Sequence, residues 1–315
     1  MGITNILLLV LGYVLLLFST KLVNGGGISI MRKGPTSDAQ ERIFSWFALS
    51  LMPFLSIAIS GGVLGLGNMV FTAALTAGVL QLLLIYGMLG ITGTYRLAGN
   101  ALRDLVLLLV CVVILIVCTN YTWSKGHPAS TISRGMGLFL CVLAVAFTVW
   151  MLPYFMGKNR KLQRRPDTDF VPAIVFTLVG LALAVLLMNN TAALTHALNI
   201  EQGVLGVAVI GVGLVLPEYV RVARKYWMNT QKPVSMHLTL ATGNLGLLLM
   251  IGLSAVISPI IVTFAGAYLL LACVVAIIVF GILFYVGGEV GKIKAILFLA
   301  GFALVFVLLM KFSLH

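Results

Sequence analysis

Apolar runs long enough to cross a lipid bilayer recur along the whole chain. A membrane-spanning helix needs about 20 consecutive, mainly apolar residues. Ten runs of this kind can be placed, at 3–23, 43–62, 67–92, 101–119, 132–156, 170–190, 203–226, 236–257, 259–284 and 293–312. Hydrophobic residues make up 61% of the chain and charged residues 9%, which excludes an ordinary soluble domain. The sequence therefore predicts an all-α polytopic membrane protein with about ten transmembrane helices.

Basic residues are divided unequally between the two sides of this predicted membrane domain. When the loops between spans are assigned alternately to two sides, one side receives 17 of the 20 lysines and arginines, and the other receives only Lys125, Arg134 and Lys311. Basic loops stay in the cytoplasm. We therefore expect both termini outside, in a plasma membrane or bacterial inner membrane. The net charge of +12 then reflects orientation in the bilayer rather than nucleic-acid binding.

A basic, polar segment, "GKNRKLQRRPDTDF" (157–170), divides the chain into two nearly equal parts. We predict a first five-helix repeat at 1–156, a cytoplasmic linker at 157–169 and a second five-helix repeat at 170–315. Because five is odd, the second repeat enters the membrane from the opposite side. This is the inverted arrangement common in secondary transporters.

Two breaks in apolar character occur in the same order in both halves. Pro53 lies late in the second span and Pro217 late in the seventh; the following spans carry the Gly-Asn pairs at 67–68 and 243–244. Proline removes a backbone hydrogen bond from a membrane helix, and Gly-Asn allows close helix approach beside a polar side chain. Two such helix breaks, placed symmetrically, predict a site for a small ion inside the membrane.

The second half resembles the cation/calcium antiporter superfamily, which includes the sodium/calcium exchangers. The resemblance is carried by "GVLGVAVIGVGLVLPE" (203–218) and "ATGNLGLLLMIG" (241–252). These stretches are similar to the family's Gly-Thr-Ser-x-Pro-Glu and Gly-Ser-Asn elements. The resemblance implies ten spans in two inverted halves, transport of a cation by antiport, and an ion site formed by both halves.

Several residues depart from the family pattern. In "GLVLPE" (213–218), Leu214 and Val215 replace threonine and serine, whereas Pro217 and Glu218 remain. In the first half, "LSLMPF" (49–54) has Phe54 where the family has glutamate. The residues that the resemblance leaves as candidates for ion binding or coupling are Glu218, Asn244, Asn68, Thr72 and Thr242, with Pro53 and Pro217 breaking the helices.

A single carboxylate does not suit calcium. Calcium takes six to eight oxygen ligands, carboxylates among them, and a missing charge in a low-dielectric site costs several kcal/mol. The expected transported ion is therefore a monovalent cation or a proton, with sodium or protons as the coupling ion. We expect no other cofactor.

Three interpretations of Glu218, taken here as the intramembrane carboxylate, remain open. It binds a cation or proton at the middle of the membrane; or it pairs with Arg221, an internal counter-ion three residues on along the helix. In the third, the helix simply continues to the cytoplasmic surface, and Glu218 lies about 22–25 Å from its outer end at 1.5 Å per residue.

The sequence contains no pattern typical of an enzyme. We interpret it as a secondary-active cation antiporter with a reduced ion site, whose partners are the lipid bilayer and a small cation. The alternative is a non-transporting membrane subunit or scaffold, derived from such a transporter, that binds a protein partner in a larger membrane complex.

Overall fold

The computed structural model describes residues 2–31, 38–96, 101–123, 130–155, 170–228, 237–285 and 289–313. Helix occupies most of each of the ten predicted spans, but the starts of the fifth and ninth, at 132–133 and 259–263, are not helical. The linker predicted at 157–169 lies outside these ranges. The helices and strands are α1 (Gly2–Met31), α2 (Asp38–Trp46), α3 (Met52–Val63), α4 (Gly67–Leu75), α5 (Gln81–Thr92), β1 (Tyr95–Arg96), α6 (Ala101–Trp123), β2 (Ser130–Ile132), α7 (Arg134–Phe155), α8 (Phe170–Leu198), α9 (Gln202–Leu205), α10 (Val212–Met228), α11 (His237–Ile257), β3 (Ile260–Val262), α12 (Phe264–Tyr285), β4 (Glu289–Val290) and α13 (Lys292–Ser313).

Helix length and apolar character confirm the predicted fold class. Within the described ranges, eight helices are long and apolar enough to cross a membrane, and two shorter apolar helices, Leu9–Gly25 and Met52–Val63, lie in the first and second spans. Helices satisfy their backbone hydrogen bonds internally, which the bilayer requires. The chain is an all-α polytopic membrane protein.

Three spans contain a π-helical turn. These turns are Phe47–Leu51 in the second span, Thr76–Leu80 in the third and Gly206–Gly211 in the seventh. A π-turn inserts a residue into the helical ladder, shifts the carbonyls from their usual partners and is frequent at functional sites. The turns in the third and seventh spans lie in spans that carry polar candidates, and the turn in the second span comes just before Pro53.

The turn between the second and third spans falls at Leu64–Leu66, within the segment where the sequence breaks its apolar pattern. Gly65 adopts φ +70° there, a conformation that glycine takes without steric cost. At the same end of the bundle, α11 ends at Ile257, whose side chain lies against Gly62, and the following Pro259 lies in the short connection to β3.

The third, eighth and seventh spans form the interior of the bundle. Their apolar windows are 94%, 78% and 61% buried, against 22% for the fifth span and 17% for the tenth. The outer spans expose apolar side chains to the lipid, whereas the inner ones carry the predicted polar candidates Glu218, Asn244, Asn68, Thr72 and Thr242. The first span packs along the sixth at the side of this core.

Two short antiparallel ladders close the bundle at its two ends. One pairs β1 with β4, with Tyr95 opposite Val290; the other pairs β2 with β3, with Thr131 opposite Ile261. Each ladder joins a loop from the first half of the chain to a loop from the second. The two ends of the bundle are called here the β1–β4 end and the β2–β3 end. The positions of the candidate residues along the bundle are given relative to these ends.

Candidate functional site

The regular α-helical hydrogen bonding of the seventh span is interrupted upstream of Glu218. Pro217 lies inside α10 and follows the π-helical turn Gly206–Gly211. Because proline has no N–H, the carbonyl one turn earlier has no partner within the helix. Tyr13 of the first span covers this region: its hydroxyl lies 3.0 Å from the carbonyl oxygens of both Val209 and Ile210. Its ring lies so close to Gly213 that a Cβ there would come within 2.3 Å of Tyr13 Cζ.

Glu218 is buried and paired with Arg221. The glutamate is 6% exposed, and Arg221 Nε donates to its Oε2 at 2.8 Å while Nη2 binds Oε1. This two-pronged geometry is the strongest arrangement of a guanidinium on a carboxylate. The Arg221 side chain keeps 38% of its surface exposed, so the pair lies at the edge of the core. The structure therefore has the pairing of the second interpretation.

The pair lies beside the first turn of α11. Arg221 Nη2 is 3.5 Å from Thr239 Oγ1, and Thr239 is the third residue of that helix. Asn244 lies five residues further along α11, about 7.5 Å at 1.5 Å per residue. Glu218 is therefore nearer the β1–β4 end than Asn244, and no hydrogen bond between described residues joins the two.

Asn244 and Thr242 occupy the buried middle of the eighth span. Asn244 is 1% exposed, and its Oδ1 has no hydrogen-bond partner. An unpaired buried carbonyl costs about 1–3 kcal/mol, so this atom is the most ligand-like oxygen of the predicted set. Thr242 is already engaged: its Oγ1 accepts from Trp46 Nε1 at 2.9 Å and donates to the Leu238 carbonyl at 2.9 Å.

Apolar side chains fill the positions where the family pattern has polar ones. Leu214 and Val215 are buried in the core. Pro53 is the second residue of α3 and follows the π-helical turn Phe47–Leu51 directly, so its missing N–H falls where the helical hydrogen bonding is already shifted. Phe54, which follows it, packs directly on the backbone of α11: a Cβ on Gly246 would come within 2.9 Å of the ring.

Asn68 and Thr72 lie towards the opposite end of the bundle from Glu218. Asn68 Nδ2 donates to Glu201 Oε1 at 3.3 Å and to Thr263 Oγ1 at 3.2 Å, at the β2–β3 end. Thr72 Oγ1 donates to the Met69 carbonyl at 3.2 Å within its own helix. The predicted set is therefore spread along the bundle: Asn68 and Thr72, then Asn244 and Thr242, then Glu218 with Arg221.

Sequence reasoning missed a second buried carboxylate. Asp104, near the start of α6, is 3% exposed, so Glu218 is not the sole acid within a span. Asp104 Oδ2 lies 2.8 Å from His237 Nδ1. Arg103 Nη2 is 3.5 Å from its other oxygen, with the guanidinium 5.5 Å from the centre of the Trp150 ring. A carboxylate so near the start of a strongly apolar span was the available signal.

Polar side chains connect this second pair to the Glu218 region. Gln81 of the third span donates from Nε2 to the Thr239 carbonyl at 3.3 Å and fits against Gly243 of the eighth. The Tyr86 hydroxyl is buried and has no hydrogen-bond partner among the described residues. Within the described ranges, no three His, Cys, Asp or Glu side chains come together as a metal centre requires.

Solved structures of a sodium–calcium exchanger, NCX_Mj, share this fold. The chain matches the form soaked with 2.5 mM Na⁺ and 10 mM Sr²⁺ with a TM-score of 0.55 and 16% identity, over 98% of this chain and 99% of that one. The form soaked with 2.5 mM Na⁺ and 0.1 mM Ca²⁺ gives 0.56 and 16%, over 97% and 98%. The form with zero Na⁺ and Ca²⁺ gives 0.54 and 16%.

No family model and no curated protein sequence matches the chain. At 16% identity the likeness establishes the fold alone, which this chain shares with NCX_Mj over nearly its whole length. Which of the polar residues bind an ion has to be argued from their own chemistry.

Proposed function

We propose that this protein is a secondary-active cation antiporter with a reduced ion site, selective for a monovalent cation over calcium. One observation carries the proposal: among the described residues, the buried Glu218 carboxylate forms an ion pair with one guanidinium, that of Arg221. A transported ion that takes the place of Arg221 at this carboxylate must carry one positive charge to keep the site neutral. A divalent ion would leave an excess charge in a low-dielectric site, at a cost of several kcal/mol.

The available oxygen ligands support the same choice of ion. Glu218 supplies a carboxylate, and Asn244 supplies a buried carbonyl oxygen without a hydrogen-bond partner. Phe54, Leu214 and Val215 contribute no oxygen from their side chains. Such a site falls short of the six to eight oxygens, with more than one carboxylate, that calcium requires. It suits sodium, potassium or a proton.

We further propose that residues 1–156 and 170–315 are inverted repeats that alternate access to this site. The ladders support this arrangement. In an inverted repeat, each span of the first half corresponds to the span five places later in the second half. The strand β1 then corresponds to β3, and β2 corresponds to β4. The β1–β4 and β2–β3 ladders are therefore equivalent under the repeat. With both termini outside, as the charge distribution predicts, the β1–β4 end is cytoplasmic.

Ion flux into proteoliposomes tests the proposal. Purified protein is reconstituted, and uptake of sodium, potassium, calcium and protons is measured against an outward gradient of each other ion. We expect exchange of a monovalent cation and none of calcium. Glu218→Gln should abolish the exchange. The matched control is Glu289→Gln, the same substitution at an exposed glutamate that pairs with Arg96 at 2.6 Å; because it changes no main-chain group of the β1–β4 ladder, it should leave the flux unchanged.

A second candidate is a non-transporting membrane subunit. The packing of Phe54 on Gly246 favours it, because this ring fills the interior against the backbone of α11. Here Arg221 would be the permanent partner of Glu218. Folded wild-type protein that exchanges none of the four ions, and that co-purifies stoichiometrically with a membrane protein, would favour this candidate.

A further inference from the structure

Glu201 joins three spans at the β2–β3 end of the bundle. It immediately precedes α9 and the seventh span, yet its side chain forms no hydrogen bond that caps that helix. Its Oε1 accepts instead from Asn68 Nδ2, in the first turn of the third span, and from Thr263 Oγ1, one residue before α12. Asn68 Nδ2 also donates to Thr263 Oγ1 at 3.2 Å. These three residues are called here the Glu201 cluster.

A line of polar side chains leads from this cluster into the bundle. Asn68, Thr72 and Thr76 are spaced four residues apart along the third span, so they share one helix face. Asn68 is half-buried, as is Glu201, whereas Thr72 and Thr76 are fully buried. The Glu201 cluster therefore lies where the exposed end of the bundle meets its interior.

Glycines of the seventh span lie against this polar face. Each of the three polar residues faces a glycine on which a Cβ would come within 3.3 Å of its side chain: Gly203 faces Asn68, Gly206 faces Thr72 and Gly211 faces Thr76. Contacts this close leave no space for water or an ion between the two spans. Separation of the third and seventh spans would open the buried threonines to water from the β2–β3 end.

We propose that the Glu201 cluster is a latch that joins the third, seventh and ninth spans and closes the interior at the β2–β3 end. Opening of this end breaks both hydrogen bonds to Glu201, and the third and seventh spans then part along the glycines. Asn68, an ion-binding candidate from the sequence, is instead part of the closing contact. Because both termini are predicted to lie outside, the latch faces the exterior. This inference rests on the alternating access of the proposed function and assigns a gate to one side.

The contacts of Glu201 are of the kind that can set the balance between a closed and an open state. Hydrogen bonds to an ionised acceptor are roughly twice as strong as those between neutral groups. Glu201 also has interactions besides these two, which its substitution would remove as well. Loss of the carboxylate should therefore raise the open fraction at least about tenfold, which corresponds to about 1.4 kcal/mol.

Cysteine accessibility tests the latch without relying on transport. Thr72→Cys places a thiol one turn below Asn68 at a position with 0% exposure, and the full-length protein in nanodiscs is treated with a charged thiol reagent. Glu201→Ala, added to this variant, should raise the labelling rate at least about tenfold. Glu201→Gln keeps an oxygen that can accept from Asn68 and Thr263, so it should give a smaller rise. Chains without Thr72→Cys give the background from the four native cysteines.

A second variant and two controls accompany this measurement. Thr263→Val removes the hydroxyl at nearly constant shape and should also raise the labelling of Thr72→Cys. Thr239→Cys reports on the other end, because Thr239 is fully buried in the first turn of α11; Glu201→Ala should not raise its labelling. Glu289→Ala, at an exposed glutamate of the β1–β4 end, should change neither rate.

The outcomes separate the latch from the proposed function. The latch is overturned if neither Glu201→Ala nor Thr263→Val changes the labelling of Thr72→Cys. It is also overturned if Thr239→Cys gains labelling to the same extent, since the substitution then loosens the whole fold, or if Glu201→Gln labels as fast as Glu201→Ala. Wild-type protein that exchanges no ion contradicts the proposed function instead, and the labelling rates still decide the latch.

Discussion

Replacing Arg221 by glutamine would leave the Glu218 carboxylate buried without its counter-ion. The size of the effect follows from exposure. Breaking an exposed ion pair costs about 0–1 kcal/mol and breaking a fully buried one about 3–5 kcal/mol. Glu218 is 6% exposed and Arg221 38%, so Arg221→Gln should lower the free energy of unfolding by about 2 kcal/mol, between these limits.

A cation that binds Glu218 should reverse this loss. Sodium at 100 times its dissociation constant stabilises the folded state by about 2.7 kcal/mol, which is enough to offset the missing guanidinium. Thermal unfolding of the detergent-purified variant, followed by tryptophan fluorescence, measures this recovery. Sodium chloride should raise the midpoint of Arg221→Gln much more than choline chloride of equal ionic strength, and should raise that of wild type less.

The double variant Glu218→Gln/Arg221→Gln completes a double-mutant cycle for this ion pair. With neither charge present, it should be more stable than Arg221→Gln alone and should not respond to sodium. The reasoning is refuted if Arg221→Gln is as stable as the control Arg96→Gln, or if choline restores it as well as sodium does. Equal instability of the single and double variants would also refute it.

Three further substitutions probe the interior. Gly246→Ala should destabilise the protein by about 1–3 kcal/mol, because its Cβ would meet the Phe54 ring; thermal unfolding measures this, and Phe54→Leu in the same chain should recover part of the loss. Tyr13→Phe keeps the ring over Gly213 but removes the hydroxyl, and should cost about 1–2 kcal/mol by chemical or thermal denaturation. Asn244→Leu removes the unpartnered buried carbonyl, so it should raise the unfolding midpoint and weaken sodium-dependent stabilisation; a lowered midpoint would mean that the amide is structurally satisfied.

The positions of the spans could be read from the sequence because the bilayer imposes a simple requirement. A span is a run of apolar residues of fixed minimum length, and each of the ten runs is helical. The pairing of Glu218 with Arg221 was equally accessible, since residues three apart on a helix share a face. Both depend only on residues close together in the chain.

The side chains that pack around the candidate site could not be predicted from the sequence in this way. Tyr13 meets the seventh span across about two hundred residues of sequence, and Phe54 meets Gly246 across a similar distance. Such contacts follow from helix packing, which no local pattern encodes. Asp104 was overlooked because it adjoins Arg103 at the edge of a span, where a charged residue is ordinarily solvated; only its burial beside His237 distinguishes it.

The two ladders are separate main-chain connections between the two halves of the chain. The β1–β4 ladder has two residue pairs and the β2–β3 ladder has three. A net loss of about 1 kcal/mol per hydrogen bond makes the opening of either ladder a matter of a few kcal/mol. A gap of that size leaves the minor conformer populated at about 0.1–10%. Under the proposed alternating access, one ladder would open while the other stays paired, and a proline placed in one strand, which removes a main-chain donor, should favour the state open at that end.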